Sequence, residues 1–122
     1  MGCGAPVLEQ QLPSSAVRAV EQQVAAYNAR DIEAFLAPYA DSVMLYTFPH
    51  TLISKGREAM RQRYLSLFSR APRLHCEIVG RLVEGNTIID QERVTGVGGT
   101  ALTGVAIYQM EGEKISKVYF VR

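Results

Sequence analysis

The chain has 122 residues, 48% hydrophobic and 20% charged, which suits one folded domain with a real core. A formal net charge of +1 supplies no field for gathering nucleic acid or an acidic membrane surface, so neither is expected as a partner. No apolar run approaches the ~20 residues a bilayer requires, and two cysteines without CxxC spacing, Cys3 and Cys76, fit a reducing cytoplasm and offer no structural zinc motif.

Residues 1–13 lack the basic start and apolar stretch of a signal peptide and read as a loose arm before a single domain over 14–122. Ser14 and Ser15 can cap a helix that runs to about Asn28. Val17, Val20, Val24 and Tyr27 form its apolar stripe, with Gln23 on the flank. Asp31 caps a second, shorter helix that buries Ile32, Phe35 and Leu36 and is closed off by Pro38 and Asp41. Val43 to Phe48 reads as a strand and His50 to Ser54 as a connector. Gly56 opens a third helix ending near Ser69, with Met60, Tyr64, Leu67 and Phe68 inward. Arg57, Arg61 and Arg63 make its exposed side mostly basic. Ala71-Pro72 stops it.

From Leu74 the period changes to two. Residues 74–84, 87–97, 101–110 and 114–121 read as strands, parted by Gly85-Asn86, Gly98-Gly99 and Glu111-Gly112-Glu113. Links this short impose antiparallel neighbours. The fold class is therefore α+β, with three N-terminal helices packed on a strongly curved mixed or antiparallel sheet that leaves an internal pocket.

Turn chemistry implies a register, and register sorts side chains by face. Pairing Glu84 with Thr87, Val97 with Thr100 and Met110 with Lys114 sends Gln91, Arg93, Gly104, Ala106 and Tyr108 toward the helices. The small residues Gly104 and Ala106 leave room for a cavity. The other face carries Arg81, Asp90, Glu92, Val105, Ile107 and Tyr119, a mixed surface suited to a second copy of the chain. A one-residue slip exchanges the two sets.

The segments Tyr27-Asn28-Ala29-Arg30-Asp31, Tyr39-Ala40-Asp41-Ser42-Val43, Lys55-Gly56-Arg57-Glu58-Ala59-Met60, Glu84-Gly85-Asn86 and Gly112-Glu113-Lys114-Ile115, in this order and spacing, resemble the nuclear transport factor 2-like superfamily. The likeness covers roughly residues 16–121 and points to the branch with the ketosteroid isomerases and the SnoaL-like polyketide cyclases. It implies a conical fold with a deep, largely apolar pocket, commonly in a homodimer. Ketosteroid isomerase uses a carboxylate base with a tyrosine and a protonated aspartic acid at the oxyanion. On the family pattern the tyrosine falls on Gln23, the base on Thr47 or Phe48, and the second acid near Ala106. That set is absent, so the isomerase mechanism does not carry over, and one fold hosts many functions.

The polar groups placed around the pocket are Gln23, Tyr27, Thr47, Tyr64, Gln91, Arg93 and Tyr108. Arg93 either anchors a carboxylate in bidentate fashion or lies solvated at the rim. Asp90 and Glu92 are the alternatives for a catalytic acid and base if the register slips; otherwise they pair with Arg81 or Lys117 across the dimer face. His50 and His75 have no metal-ligand spacing, and Cys76 reads as a buried structural thiol. No metal or cofactor is expected. The residues are consistent with a protein that holds a small apolar or carboxylate-bearing ligand, with proton transfer (isomerisation, dehydration or cyclisation) as the chemistry if there is any. The rival is a non-catalytic dimeric assembly module with a vestigial pocket.

Overall fold

Ser14 accepts a hydrogen bond on its Oγ from the Val17 N–H at 3.1 Å and so caps helix α1 (Ser15–Ala29). The structure is a computed structural model and describes residues 14–122, so Cys3 and the arm expected over residues 1–13 lie outside the described residues. α1 ends at Arg30 in the left-handed conformation, φ 55°. The Arg30 N–H reaches Tyr27 and the Asp31 N–H reaches Ala26, which satisfies the last carbonyls of the helix. Asp31 then caps α2 (Ile32–Leu36) by accepting from the Ala34 N–H. The corner is thus made by Arg30 in a backbone conformation uncommon for a non-glycine residue and by the Asp31 cap.

β1 (Tyr39–Thr47) begins directly after Pro38, four residues earlier than Val43, where a strand was expected. The stretch expected to be a connector is in part a strand, β2 (Thr51–Lys55), paired antiparallel with β1. α3 (Arg57–Arg70) follows. The remaining strands are β3 (His75–Glu84), β4 (Thr87–Thr95), β5 (Leu102–Glu111) and β6 (Lys114–Val121). They form one six-stranded mixed sheet in the order β2-β1-β6-β5-β4-β3, open at both edges, in which only β1 and β6 run parallel. The core joins Val20 and Ala26 of α1, Phe35 of α2 and Met60 of α3 to Leu45, Ile88, Ala106, Tyr108 and Val118 of the sheet. Among the described residues no helix is long and apolar enough to cross a membrane.

Between β3 and β4, Glu84 faces Thr87 and Arg81 faces Asp90, with an irregularity between Ile78 and Gly80. Between β4 and β5 the register departs by one residue from the expected one. Ala106 faces Asp90 rather than Gln91, and Gly104 faces Glu92 rather than Arg93. The cause is Gly96. Its φ is 86°, and a Cβ there would lie 2.2 Å from the carbonyl oxygen of Arg73. The chain therefore leaves the sheet after Thr95, and residues 96–101 form a longer link than the two-residue turn expected at Gly98-Gly99. Because strand side chains alternate, the slip exchanges every side chain of β4 between the two faces while β5 and β6 keep theirs.

Candidate functional site

That slip places Asp90 and Glu92 on the helix side of the sheet. Asp90 is completely buried and bound in bidentate fashion by Arg81, Nε to Oδ1 at 2.6 Å and Nη2 to Oδ2 at 2.9 Å. Arg81 also holds Glu21 of α1 at 3.1 Å. Asp90 is thereby fully committed to a structural ion pair.

Glu92 has no such cation. A hydrogen-bonded relay from three elements ends on it. The Tyr39 hydroxyl donates to Gln23 Oε1 at 3.0 Å, Gln23 Nε2 donates to the Tyr108 oxygen at 2.9 Å, and the Tyr108 hydroxyl donates to Glu92 Oε2 at 3.4 Å. Each side chain can do this because its backbone is fixed elsewhere: Gln23 on the inner stripe of α1, Tyr108 opposite Val118 in the middle of the sheet, Tyr39 at the start of β1. Among the described residues only Oε2 of Glu92 is engaged by a protein donor, so the second oxygen remains for whatever enters the space beside it.

That space is a cavity of about 480 Å³, a size usual for small-molecule sites. Its polar floor is the relay. Its wall is aromatic: Tyr27, Phe35 and Tyr64 pack with ring centroids 4.7 to 6.3 Å apart, and Phe120 closes the sheet side. Desolvation by this wall pushes Glu92 up to about 7, with the Asp90 charge adding to the rise and the Tyr108 hydrogen bond and the Arg122 charge opposing it. Burial also raises the phenols of Tyr39 and Tyr108 well above their ordinary range and pushes Tyr64 up to about 12, so these hydroxyls stay neutral donors. Burial, then the Glu92 and Asp90 charges, push the Cys76 thiol in the same wall up to about 12, which makes it inert at neutral pH. Of these groups, Glu92 is the one whose charge changes near neutrality, the requirement for moving protons in both directions.

Of the residues expected around the pocket, Gln23, Tyr27, Tyr64 and Tyr108 line the cavity. Thr47, Gln91 and Arg93 do not. Thr47 is exposed at the end of β1. Gln91 and Arg93 lie on the opposite face of β4, where Arg93 has a carboxylate 3.9 Å away on Glu77 and is half exposed. Of the two positions open to Arg93 in the sequence, it takes the solvated one and does not anchor an anion in the cavity. Arg81, Asp90 and Glu92 leave the expected dimer face for the same reason. Ile107 and Tyr119 remain opposite each other on the face away from the helices, and Val105 also contributes to the rim of the cavity. His50 stacks on Tyr46 away from the cavity, His75 is exposed, and among the described residues no group of His, Cys, Asp or Glu could hold a metal ion.

Tyr39 was not anticipated as a site residue, because its strand starts earlier than the β-branched composition of residues 43–48 suggested. Arg70 and Arg122, which reach the cavity mouth with Arg63, carried no sequence signal beyond charge.

A family model described as the SnoaL-like domain matches residues 20–118. Among solved structures, a cystatin-fold protein from Novosphingobium aromaticivorans is 27% identical, with 90% of this chain and 100% of that one covered at a TM-score of 0.82. A candidate polyketide cyclase from Sinorhizobium meliloti is 16% identical, covering 91% of this chain and 96% of that one at a TM-score of 0.75. A candidate ketosteroid isomerase from Kribbella flavida is 20% identical, covering 88% and 76% at a TM-score of 0.73. At the last two identities the likeness is one of fold. No curated protein matches the sequence.

Proposed function

The chain belongs to the SnoaL-like domain family, and from that membership we propose that its cavity holds a small apolar molecule with one polar end and that Glu92 moves a proton on it. The observation that carries this reading is a carboxylate lifted to about 7 beside an aromatic cavity, one oxygen held by Tyr108 and the other without a protein donor among the described residues. Two structures of the same fold are described as a candidate polyketide cyclase and a candidate ketosteroid isomerase, descriptions that accord with this reading. A sheet that curls into a cone around the bound molecule, as the family resemblance implies, belongs to the same reading.

In this mechanism the ionised Glu92 takes a proton from a carbon next to a ketone carbonyl. The electron pair moves onto the carbonyl oxygen, which the neutral hydroxyls of Tyr27 and Tyr64 stabilise as it becomes negative. Protonated Glu92 then returns the proton, to the same carbon or to one further along the conjugated system. The relay Tyr39–Gln23–Tyr108 keeps the carboxylate aimed through both halves. The test is exchange of carbon-bound hydrogen for solvent deuterium in an aryl ketone bound by the protein. Glu92→Gln is expected to slow exchange by about 10²-fold or more; equal rates in wild type and variant would end the proposal.

The sheet face carrying Val105, Ile107 and Tyr119 is proposed as the contact of a homodimer. Among the described residues no helix packs on it, and the Tyr46 and Tyr119 rings stack there at 4.8 Å. Ile107→Asp should convert a dimer in sedimentation to a monomer; a wild-type monomer would refute the contact. A cytoplasmic setting fits the free thiol of Cys76.

A further inference from the structure

The mouth of the cavity is more basic than its interior. Arg63 and Arg70 line it from α3. Seven residues apart, they lie on one side of the helix, about 10.5 Å along its axis. Arg122 lines the mouth from the end of β6, with its guanidinium carbon 5.7 Å from the centre of the Phe120 ring. All three are exposed, and none has a carboxylate partner among the described residues. Their neighbours on α3 differ: Arg57 is paired with Asp41, and Arg61 with Glu33 and Glu58. Arg122 is also felt inside, where its charge lowers the titration of Glu92, Tyr27 and Tyr64. The basic groups thus come from two sides of one opening.

We infer that the molecule the cavity takes is an apolar keto acid, with its carboxylate among Arg63, Arg70 and Arg122 and its ketone end inward beside Glu92. This rests on the proton-transfer reading above. A guanidinium fork matches a planar carboxylate. Arg63 to Arg70 is the C-terminal half of α3, whose negative dipole end opposes any anion, a phosphate dianion more than a singly charged carboxylate. A carboxylate does little to acidify the carbon beside it, so the proton Glu92 removes must belong to a carbon activated by a separate ketone. The mouth sets orientation, and Glu92 sets where along the chain the chemistry falls.

The experiment uses two probes of the same shape, 3-benzoylpropionate and its primary amide. Binding is read by calorimetry, and deuterium exchange next to the ketone by NMR. Wild type is expected to bind the acid about 10-fold more tightly than the amide, as several weak, partly exposed charge contacts would give. That preference should shrink at roughly 0.5 M salt, where screening is strong. The triple variant Arg63→Gln/Arg70→Gln/Arg122→Gln should bring the acid down to the amide's affinity. Equal affinity for acid and amide in wild type overturns the inference, as does a preference that survives in the triple variant. In either case Glu92-dependent exchange would leave the proton-transfer reading standing. A charge-dependent preference with exchange that Glu92→Gln does not slow supports the anion mouth and removes the assigned role of Glu92. Absence of binding by either probe overturns the keto acid assignment.

Discussion

Glu92 is a side chain whose ordinary chemistry is opposed by its surroundings. It titrates near 4.5 in an unfolded chain and at about 7 in the fold. The folded protein therefore holds the proton more tightly. The stabilisation from this preference is complete below pH 4.5 and is lost as pH rises through about 7. Above that, the ionised carboxylate weakens the fold by on the order of 2–3 kcal/mol relative to a neutral isostere. Glu92→Gln should consequently raise the thermal midpoint by several degrees at about pH 8.5 and gain little near pH 4.5. Activity should run the opposite way in pH: kcat/KM for exchange should climb through about 7 as the base ionises. Tyr108→Phe removes a hydrogen bond that favours the ionised form, so its pH profile should move to higher pH. It also strands Gln23 Nε2, with a loss of about 1–3 kcal/mol in urea unfolding.

At the scale of elements, α1 is latched to the far strands by three side chains. Asn28 accepts from the Cys76 N–H at 2.7 Å and donates to the Cys76 carbonyl at 3.0 Å, so it acts as one rung of a strand neighbour for β3. Arg30 donates to the Leu74 carbonyl at 2.6 Å, and Arg81 joins Asp90 to Glu21. Arg81→Met leaves a wholly buried carboxylate without its cation and should cost about 3–5 kcal/mol; adding Asp90→Leu should recover most of that. Chemical denaturation of the two variants checks both statements. The corner itself was legible in the sequence, since Asp31 caps and Tyr27 continues the stripe. The reach of Asn28 and Arg30 to residues more than forty positions away was not, because a polar residue at a helix end looks the same whether it meets water or a strand. Helix side chains are the more legible ones, since a local period fixes their direction, and Gln23, Tyr27 and Tyr64 do line the cavity. The faces of β4 were not, since they depend on where Gly96 ends the strand, and that is decided by the distant backbone of Arg73.

At the scale of the molecule, the helix-helix-strand-helix-meander order was enough for the fold, because short links leave few arrangements. β2 escaped notice because it is short, exposed and at an edge, where little burial pattern is imprinted. The site draws on all three helices and on β1, β3, β4, β5 and β6, so its assembly is a property of the whole sheet. Gly104 shows this: a Cβ there would meet the Val121 carbonyl oxygen at 2.9 Å. Gly104→Ala should push β6 outward, destabilise the fold by about 1–3 kcal/mol, and weaken binding at the mouth through the displaced Arg122. Thermal unfolding and probe titration would read the two effects together.

The position of β6 has a temporal consequence. It is the last of the described strands in chain order, yet it lies between β1 and β5 and pairs parallel with β1, the first of them. During synthesis β1 waits with an unfilled side while some seventy residues emerge, and the β3–β4–β5 meander can form before it has anything to dock on. Folding should therefore proceed as two partial sheets joined late by one segment, with a rate governed by that long-range closure. Until residues 114–121 arrive, the newborn protein offers two raw strand edges to any passing chain, and this interval is when it most needs a chaperone.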